Sequence, residues 1–251
     1  MRYIKASLLL SLSLLALGLA GCQSSGQKST ASFKDSSSQS SSYSAKEPDA
    51  AVTASSSSSQ KEEAQTYHPK AAQTKSAHYI KSGNLKKTGQ YTFDKVGTQL
   101  TLAKVSHPQT IVKSGNLTYK VTTVRIIKNT AKTAAAKRMA AQALNLAQIK
   151  SPYYTLQVKF TIYNRGKQTV TTDGIQAIRL SGNRQLNAAN QLSDASAGKA
   201  IPAKGQLATF ATGLVSEKTK PTFKTVTIKF AGAFADKKQV VKPTSWLKLS
   251  L

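Results

Sequence analysis

The chain carries one thiol, Cys22, which ends the run Leu19-Ala20-Gly21-Cys22. A thiolate is a strong nucleophile toward carbon, and with no second cysteine no disulfide within the chain competes for it. Other chemistry is poorly provided for. From Tyr91 onward the acids and the histidine are Asp94, Asp173, Asp194, Asp236, Glu217 and His107. A Ser-His-Asp arrangement would have to run through His107, which stands before Pro108 in an expected loop. No G-x-S-x-G elbow surrounds any serine. A pair of carboxylates for glycoside hydrolysis would have to come from those five acids. Asp173-Gly174 and Asp236-Lys237-Lys238 read as turns, and Asp94 and Glu217 as local charge partners. No cluster has metal-ligand spacing. No glycine loop for phosphate and no basic-aromatic RNA module is present. The expectation is a protein that is not an enzyme, with no cofactor and no metal.

The surroundings of Cys22 say where such a thiol would react. Arg2 and Lys5 precede an uncharged apolar run over residues 6–20 that closes on small residues. The run is shorter than the ~20 residues of a spanning helix and has the layout of a signal peptide. A leucine, two small residues and a cysteine resemble the lipobox of bacterial lipoproteins. In that family the thiol takes a diacylglyceryl group and the chain is cut just before the cysteine. The resemblance implies lipidation at Cys22, a signal peptide over residues 1–21, and a location on the extracellular face of the cell membrane. An ordinary signal peptide with a chance cysteine is the alternative.

Lys and Arg outnumber Asp and Glu 36 to 10, for a formal charge of +26. Such an excess attracts polyanions. For an exported chain these are anionic wall polymers and phospholipid headgroups rather than nucleic acid. One lipid chain holds weakly, and a second chain or a basic patch makes the attachment stable. Tyr153, Tyr154 and Tyr163 flank an expected central strand, with Lys159, Arg165 and Lys167 on or beside it. Lys224, Lys229, Lys237, Lys238 and Lys242 follow late in the chain, with Lys248 beyond them. If the sheets pack as expected, these residues form one basic, partly aromatic face for anionic polymers. A dispersed, solubilising surface is the alternative.

Residues 22–75 read as a tether. Serine tracts over 36–44 and 55–59 offer too little apolar area to offset backbone ordering. Residues 76–251 read as one domain, with 76–90 transitional. Gly83, Asn84 and Gly89 favour loop there, and Tyr79-Ile80 a short strand. From Tyr91 short β-type runs alternate with turn residues: 99–105, 117–127, 153–163, 169–172, 176–180, 206–214, 224–230 and 246–251. Residues 154, 156, 158, 160 and 162 share one face of the longest run. Lys81-Ser-Gly-Asn-Leu85 recurs as Lys113-Ser-Gly-Asn-Leu117, and both read as turns entering strands. Residues 131–149 form the one expected helix, capped by Asn129 or Thr130 and stopped by Pro152. Ala136, Met139, Ala140, Ala143, Leu146 and Ala147 are its expected apolar face, packed across one end or edge of the sheet.

The order of these elements resembles a family of immunoglobulin-like domains of unknown function in bacterial surface lipoproteins, akin to immunoprotective extracellular antigens. Lys95-Val96-Gly97-Thr98 matches the opening turn, and Leu117, Tyr119 and Val121 a leucine-x-tyrosine-x-valine strand. Tyr154 through Asn164 matches the long strand, Ile178-Arg-Leu-Ser-Gly182 a Gly turn, and Ile201-Pro-Ala-Lys-Gly205 the late entry. The helical segment and the late aromatic, met only loosely by Phe210, depart from the pattern. The resemblance implies an antiparallel immunoglobulin-like β-sandwich with an inserted helix, and it carries over no catalytic residue.

The expected function is a lipid-anchored extracellular module that binds anionic envelope polymers or an unidentified protein partner. An envelope enzyme acting on wall glycan or peptide and a structural spacer without a ligand are the alternatives.

Overall fold

The computed structural model describes Ala50, residues 66–181 and residues 184–251. The expected signal segment over residues 1–21, Cys22, both serine tracts and Gly182 of the expected Gly turn lie outside the described residues. The elements begin with α1 (Ala71–Thr74), β1 (Tyr91–Phe93), β2 (Thr98–Ser106), β3 (Thr110–Ser114) and β4 (Leu117–Ala131). Then come α2 (Ala134–Ala143), β5 (Tyr153–Asn164), β6 (Val170–Thr172), β7 (Ile175–Arg179), β8 (Gln185–Leu186), β9 (Leu192–Asp194) and β10 (Lys199–Ile201). The chain closes with β11 (Gln206–Ser216), β12 (Thr225–Phe230), β13 (Ala233–Ala235), β14 (Lys238–Val241) and β15 (Leu247–Ser250).

The fold is mainly β, and its named strand pairs are antiparallel. The main sheet runs β1-β2-β4-β5-β11-β9, with β3 continuing the β2 side of the long β4. Two smaller sheets run β10-β6-β13-β14 and β15-β12-β7-β8. They are two halves of one bent layer. β6 and β7 are separated only by Asp173-Gly174, β12 and β13 only by Ala231-Gly232, and β6 pairs β13 while β7 pairs β12. Gly174 has φ +70°, and a Cβ there would run into the Asp194 carboxylate and the Ser196 hydroxyl. Only glycine fits that bend.

The core lies between this bent layer and the main sheet. Tyr154, Leu156, Val158, Phe160 and Ile162 enter it together from β5, as period-two alternation dictates. Val170, Ile178, Ile228, Phe230 and Leu249 meet them from the other layer. The Phe230 ring stacks on Tyr119 at 4.3 Å between centroids and meets Phe160 edge-on at 5.1 Å. The alternation of β4 does not run unbroken. The pairing with β5 shifts register between Val121 and Thr123, so Leu117, Tyr119 and Val121 face inward before the bulge and Val124 and Ile126 after it. One extra residue in one strand reverses the face of all that follow.

That reversal gives the outer face of the main sheet a second buried layer. Ile127 packs with Leu85, Leu100, Leu102 and Ala50. Beside it Arg125 donates through Nε to Gln157 Oε1 at 2.8 Å, and Asn129 Nδ2 to Thr155 Oγ1 at 3.0 Å. Tyr67 and α1 belong to the same covering. The Tyr67 ring lies 5.6 Å from Phe93, its N–H donates to the Lys95 carbonyl, and Tyr91 Oη donates to the Gln73 carbonyl. Residues 66–75 therefore pack onto the domain, whose expected start was residue 76. The 81–85 turn likewise leads into no strand: Leu85 is buried beneath it.

The helix is shorter than the 131–149 expected from alanine content. β4 continues to Ala131 because β2 and β5 pair with it on both sides. Asn129 is thereby held inside the sheet, and the N-cap is Thr133, whose Oγ1 accepts from Ala136 N at 2.9 Å. Leu144 follows as the C-cap and Asn145, at φ +53°, ends the helix in the left-handed region. Ala136, Ala140, Ala141 and Leu144 pack with Tyr153 and Leu214. Met139, expected on the apolar face, is exposed. Among the described residues no helix is long and apolar enough to cross a membrane.

Candidate anion-binding surface

Tyr163 and Asn164 end β5, and the loop that follows is fixed by one side chain. The buried Asn164 donates through Nδ2 to the carbonyls of Gln168 at 2.7 Å, Ile201 at 3.1 Å and Pro202 at 3.0 Å. Its Oδ1 accepts from Gly166 N at 2.9 Å. This amide locks the 164–168 loop against the turn that leads from β10 to β11. Arg165 N donates to the Asn116 carbonyl at 2.8 Å, which ties the β3–β4 hairpin to the same place. Lys204 closes the group: its Nζ donates to the Arg165 carbonyl at 2.7 Å and its N–H to the Gly166 carbonyl at 3.2 Å.

Between these loops and β14 lies a cavity of about 380 Å³, lined by Asn116, Arg165, Lys167, Gln168, Lys204 and the valines Val170, Val240 and Val241, among others. Three cations line it and no acid does. The Arg165 guanidinium is 5.2 Å from the Tyr163 ring centre, so an aromatic face holds it as well as the loop. The arrangement can attract and orient an anion, with an apolar wall beside the charges.

The expected basic residues divide between places. Arg165 and Lys167 meet in this cavity. Lys237 and Lys238 stand on the neighbouring β13–β14 hairpin, where Asp236 and Lys237 both take positive φ in a two-residue turn. Lys242 follows the lining residue Val241, and its carbonyl accepts from Ser114 Oγ at 2.6 Å. Lys224 and Lys229 belong to another surface: Lys224 precedes β12, and Lys229 lies 5.9 Å from the Trp246 ring, with Arg179 at 3.9 Å over the same ring. Lys159 is half-buried within β5, opposite Thr123 and Phe210. A single face built from all eight residues is not formed. Tyr153 and Tyr154 are buried, leaving Tyr163 as the half-exposed member of that group. Lys204 was not singled out by sequence. Its segment Ile201-Pro-Ala-Lys-Gly205 reads as a strand entry, and only the contact with Arg165, 39 residues away, places it at the cavity.

Two of the acids have structural work. Asp94 accepts from Val96 N and Thr98 N in the β1–β2 turn. Asp194 at the end of β9 accepts from Ile175 N at 2.6 Å, Ser196 N at 2.8 Å and Ser196 Oγ at 2.5 Å, which joins the main sheet to the bend before β7. Burial pushes its carboxyl up to about 6 against the pull of those hydrogen bonds, and the charge of Asp173 adds to the rise. His107 lies in the β2–β3 connection, its Nδ1 3.4 Å from Thr123 Oγ1. Among the described residues no group of three His, Cys, Asp or Glu side chains could hold a metal ion.

Comparison of the chain with protein-family models, with curated proteins and with solved structures gives no match in any of the three.

Proposed function

We propose that this chain is a lipid-anchored extracellular protein that displays a non-catalytic, immunoglobulin-like β-sandwich for binding anionic envelope polymers. The observation that carries the reading is the fixed, acid-free cavity with Arg165, Lys167 and Lys204 on its wall. The anchor rests on the lipobox-like residues 19–22, and the location follows from the anchor. The immunoglobulin-like part rests on the order of strands and on two antiparallel layers around one core. The non-catalytic part rests on the engagement of Asp94 and Asp194 in turns and layer contacts. The excess of Lys and Arg over Asp and Glu, nearly all of it beyond residue 21, supplies the long-range attraction.

Two measurements test it. Cys22→Ala removes the acylated thiol, so incorporation of an alkyne fatty acid should cease; label persisting on the variant ends the anchoring claim. The full chain should be retained by anionic wall polymer at low salt and released progressively toward ~0.15 M, where the Debye length is about 8 Å. A chain that binds no polyanion at any ionic strength is a spacer, and its charge serves solubility alone.

A further inference from the structure

We infer that the cavity beside β14 is a site for one phosphate-bearing polyol or sugar unit, recognised as a unit rather than through the polymer's overall charge. The inference deepens the proposed polymer binding by naming what the cavity takes.

Size is the first argument. About 380 Å³ is room for roughly a dozen waters at ~30 Å³ each, near the lower end of ligand pockets. The site is half open to solvent, and a cleft of that size leaves room beside a phosphate for a few carbon and hydroxyl groups. Chemistry is the second. Arg165, Lys167 and Lys204 bring positive charge to a wall without a carboxylate. A guanidinium fork matches two phosphate oxygens at once. The Lys204 ammonium uses one N–H on the Arg165 carbonyl and has two more to offer. The exposed Asn116 side-chain amide and that of Gln168 fit hydroxyl groups, and Val170, Val240 and Val241 fit carbon.

Preorganisation is the third. Asn164 holds both loops through four hydrogen bonds, so the backbone that carries the cations is placed before a ligand arrives, which lowers the ordering cost of binding. A nucleobase is disfavoured because no aromatic ring lines the cavity, and base recognition on single strands relies on stacking platforms.

The test uses the full chain, with glycerol 3-phosphate as the probe and glycerol and inorganic phosphate as controls. Backbone amide shifts of Gly166, Lys167 and Lys204 should move and saturate with glycerol 3-phosphate, more weakly with phosphate, and not with glycerol. Part of the binding should persist at ~0.15 M salt, because a fixed contact is screened less than separated surface charges. Arg165→Ala with Lys204→Asn should weaken it at least ~10-fold, a loss of about 1.4 kcal/mol. Asn suits position 204 because Lys204 has φ +57°, a region that Asn tolerates. Lys137→Glu with Arg138→Glu, exposed on α2 at the Tyr153 end of β5, should change it by less than about twofold, since separated surface charges are screened by solvent and salt. Unchanged thermal melts keep the comparison clean, and Arg165→Lys should recover part of the loss.

The source is separated by competition. Soluble poly(glycerol phosphate) displacing the probe, with phosphatidylglycerol vesicles failing to do so, assigns the unit to a polymer; the reverse assigns it to a lipid headgroup. Shifts spread over all lysines without saturation, or affinity unchanged in the double variant, overturn the inference. In that case polymer retention by the full chain still supports the proposed function. Probe binding at the cavity without retention of any envelope polymer sinks the function and keeps the site.

Discussion

Asp194 is buried at the junction between β9 and the bend that precedes β7, and its energetics turn on that position. Its carboxyl titrates near 6 in the fold against 3.8 for the ordinary group, because burial disfavours the charge more than three hydrogen bonds favour it. The folded form therefore binds its proton more tightly than the unfolded form between those values. Its contribution to stability is full below about pH 4 and falls as the pH rises to about 6. Urea melts across that window should show the slope, and Asp194→Asn should flatten it while lowering stability at all pH values, since an amide presents an N–H toward Ile175 N. A slope unchanged in the variant would assign the titration to another group. Phe160 is a simpler case. It is 1% exposed and edge-on to Phe230, so Phe160→Ala should cost about 3–5 kcal/mol. A loss under ~1 kcal/mol in denaturant melts would contradict its place in the core.

At the scale of elements, α2 is tied down by its N-cap as well as by its composition. Thr133 caps the helix through Ala136 N, and its hydroxyl also donates to the Val96 carbonyl at 2.6 Å. The second bond joins α2 to the β1–β2 turn, where Gly97 leaves room for Thr133 and Tyr67 at a position a Cβ would fill. Thr133→Ala should destabilise the domain by about 1 kcal/mol, the usual worth of such a cap, and Thr133→Ser should recover most of it. Equal melts for all three proteins would mean that tertiary packing alone holds the helix. Alanine content extended the expected helix into 131–133, but β4 had already taken Ala131. Pairing with Thr98 of β2, next to residues that β5 pairs as well, outweighs a propensity difference of under ~1 kcal/mol per residue.

For the whole molecule, the covering of the main sheet reaches farther toward the N-terminus than composition indicates. Tyr67 and α1 lie on Phe93 and Tyr91, so a fragment beginning at residue 66 should melt higher than one beginning at residue 76. Calorimetry of the two fragments measures the difference, and equal midpoints would show that the 66–75 contacts add nothing. Protease should likewise trim the chain to a point before Thr66 rather than to Ser76, because packed backbone resists cleavage.

The sequence by itself determined the β character, the phase of β5 and the turns at 113–117, Asp173-Gly174 and Asp236-Lys237, because each rests on contacts within a few residues. Period-two alternation places 154, 156, 158, 160 and 162 on one face whatever that face meets. It also showed the excess of cations. Only the tertiary structure decided which cations stand together. Arg165 and Lys204 are brought together by Asn164, which holds loops 37 and 38 residues apart in the chain, and no local pattern encodes such a distance. The burial of Tyr153 under α2 and the reversal of β4 at its bulge were decided the same way. A strand's outward face is solvent to the sequence, and becomes core only when another part of the chain covers it.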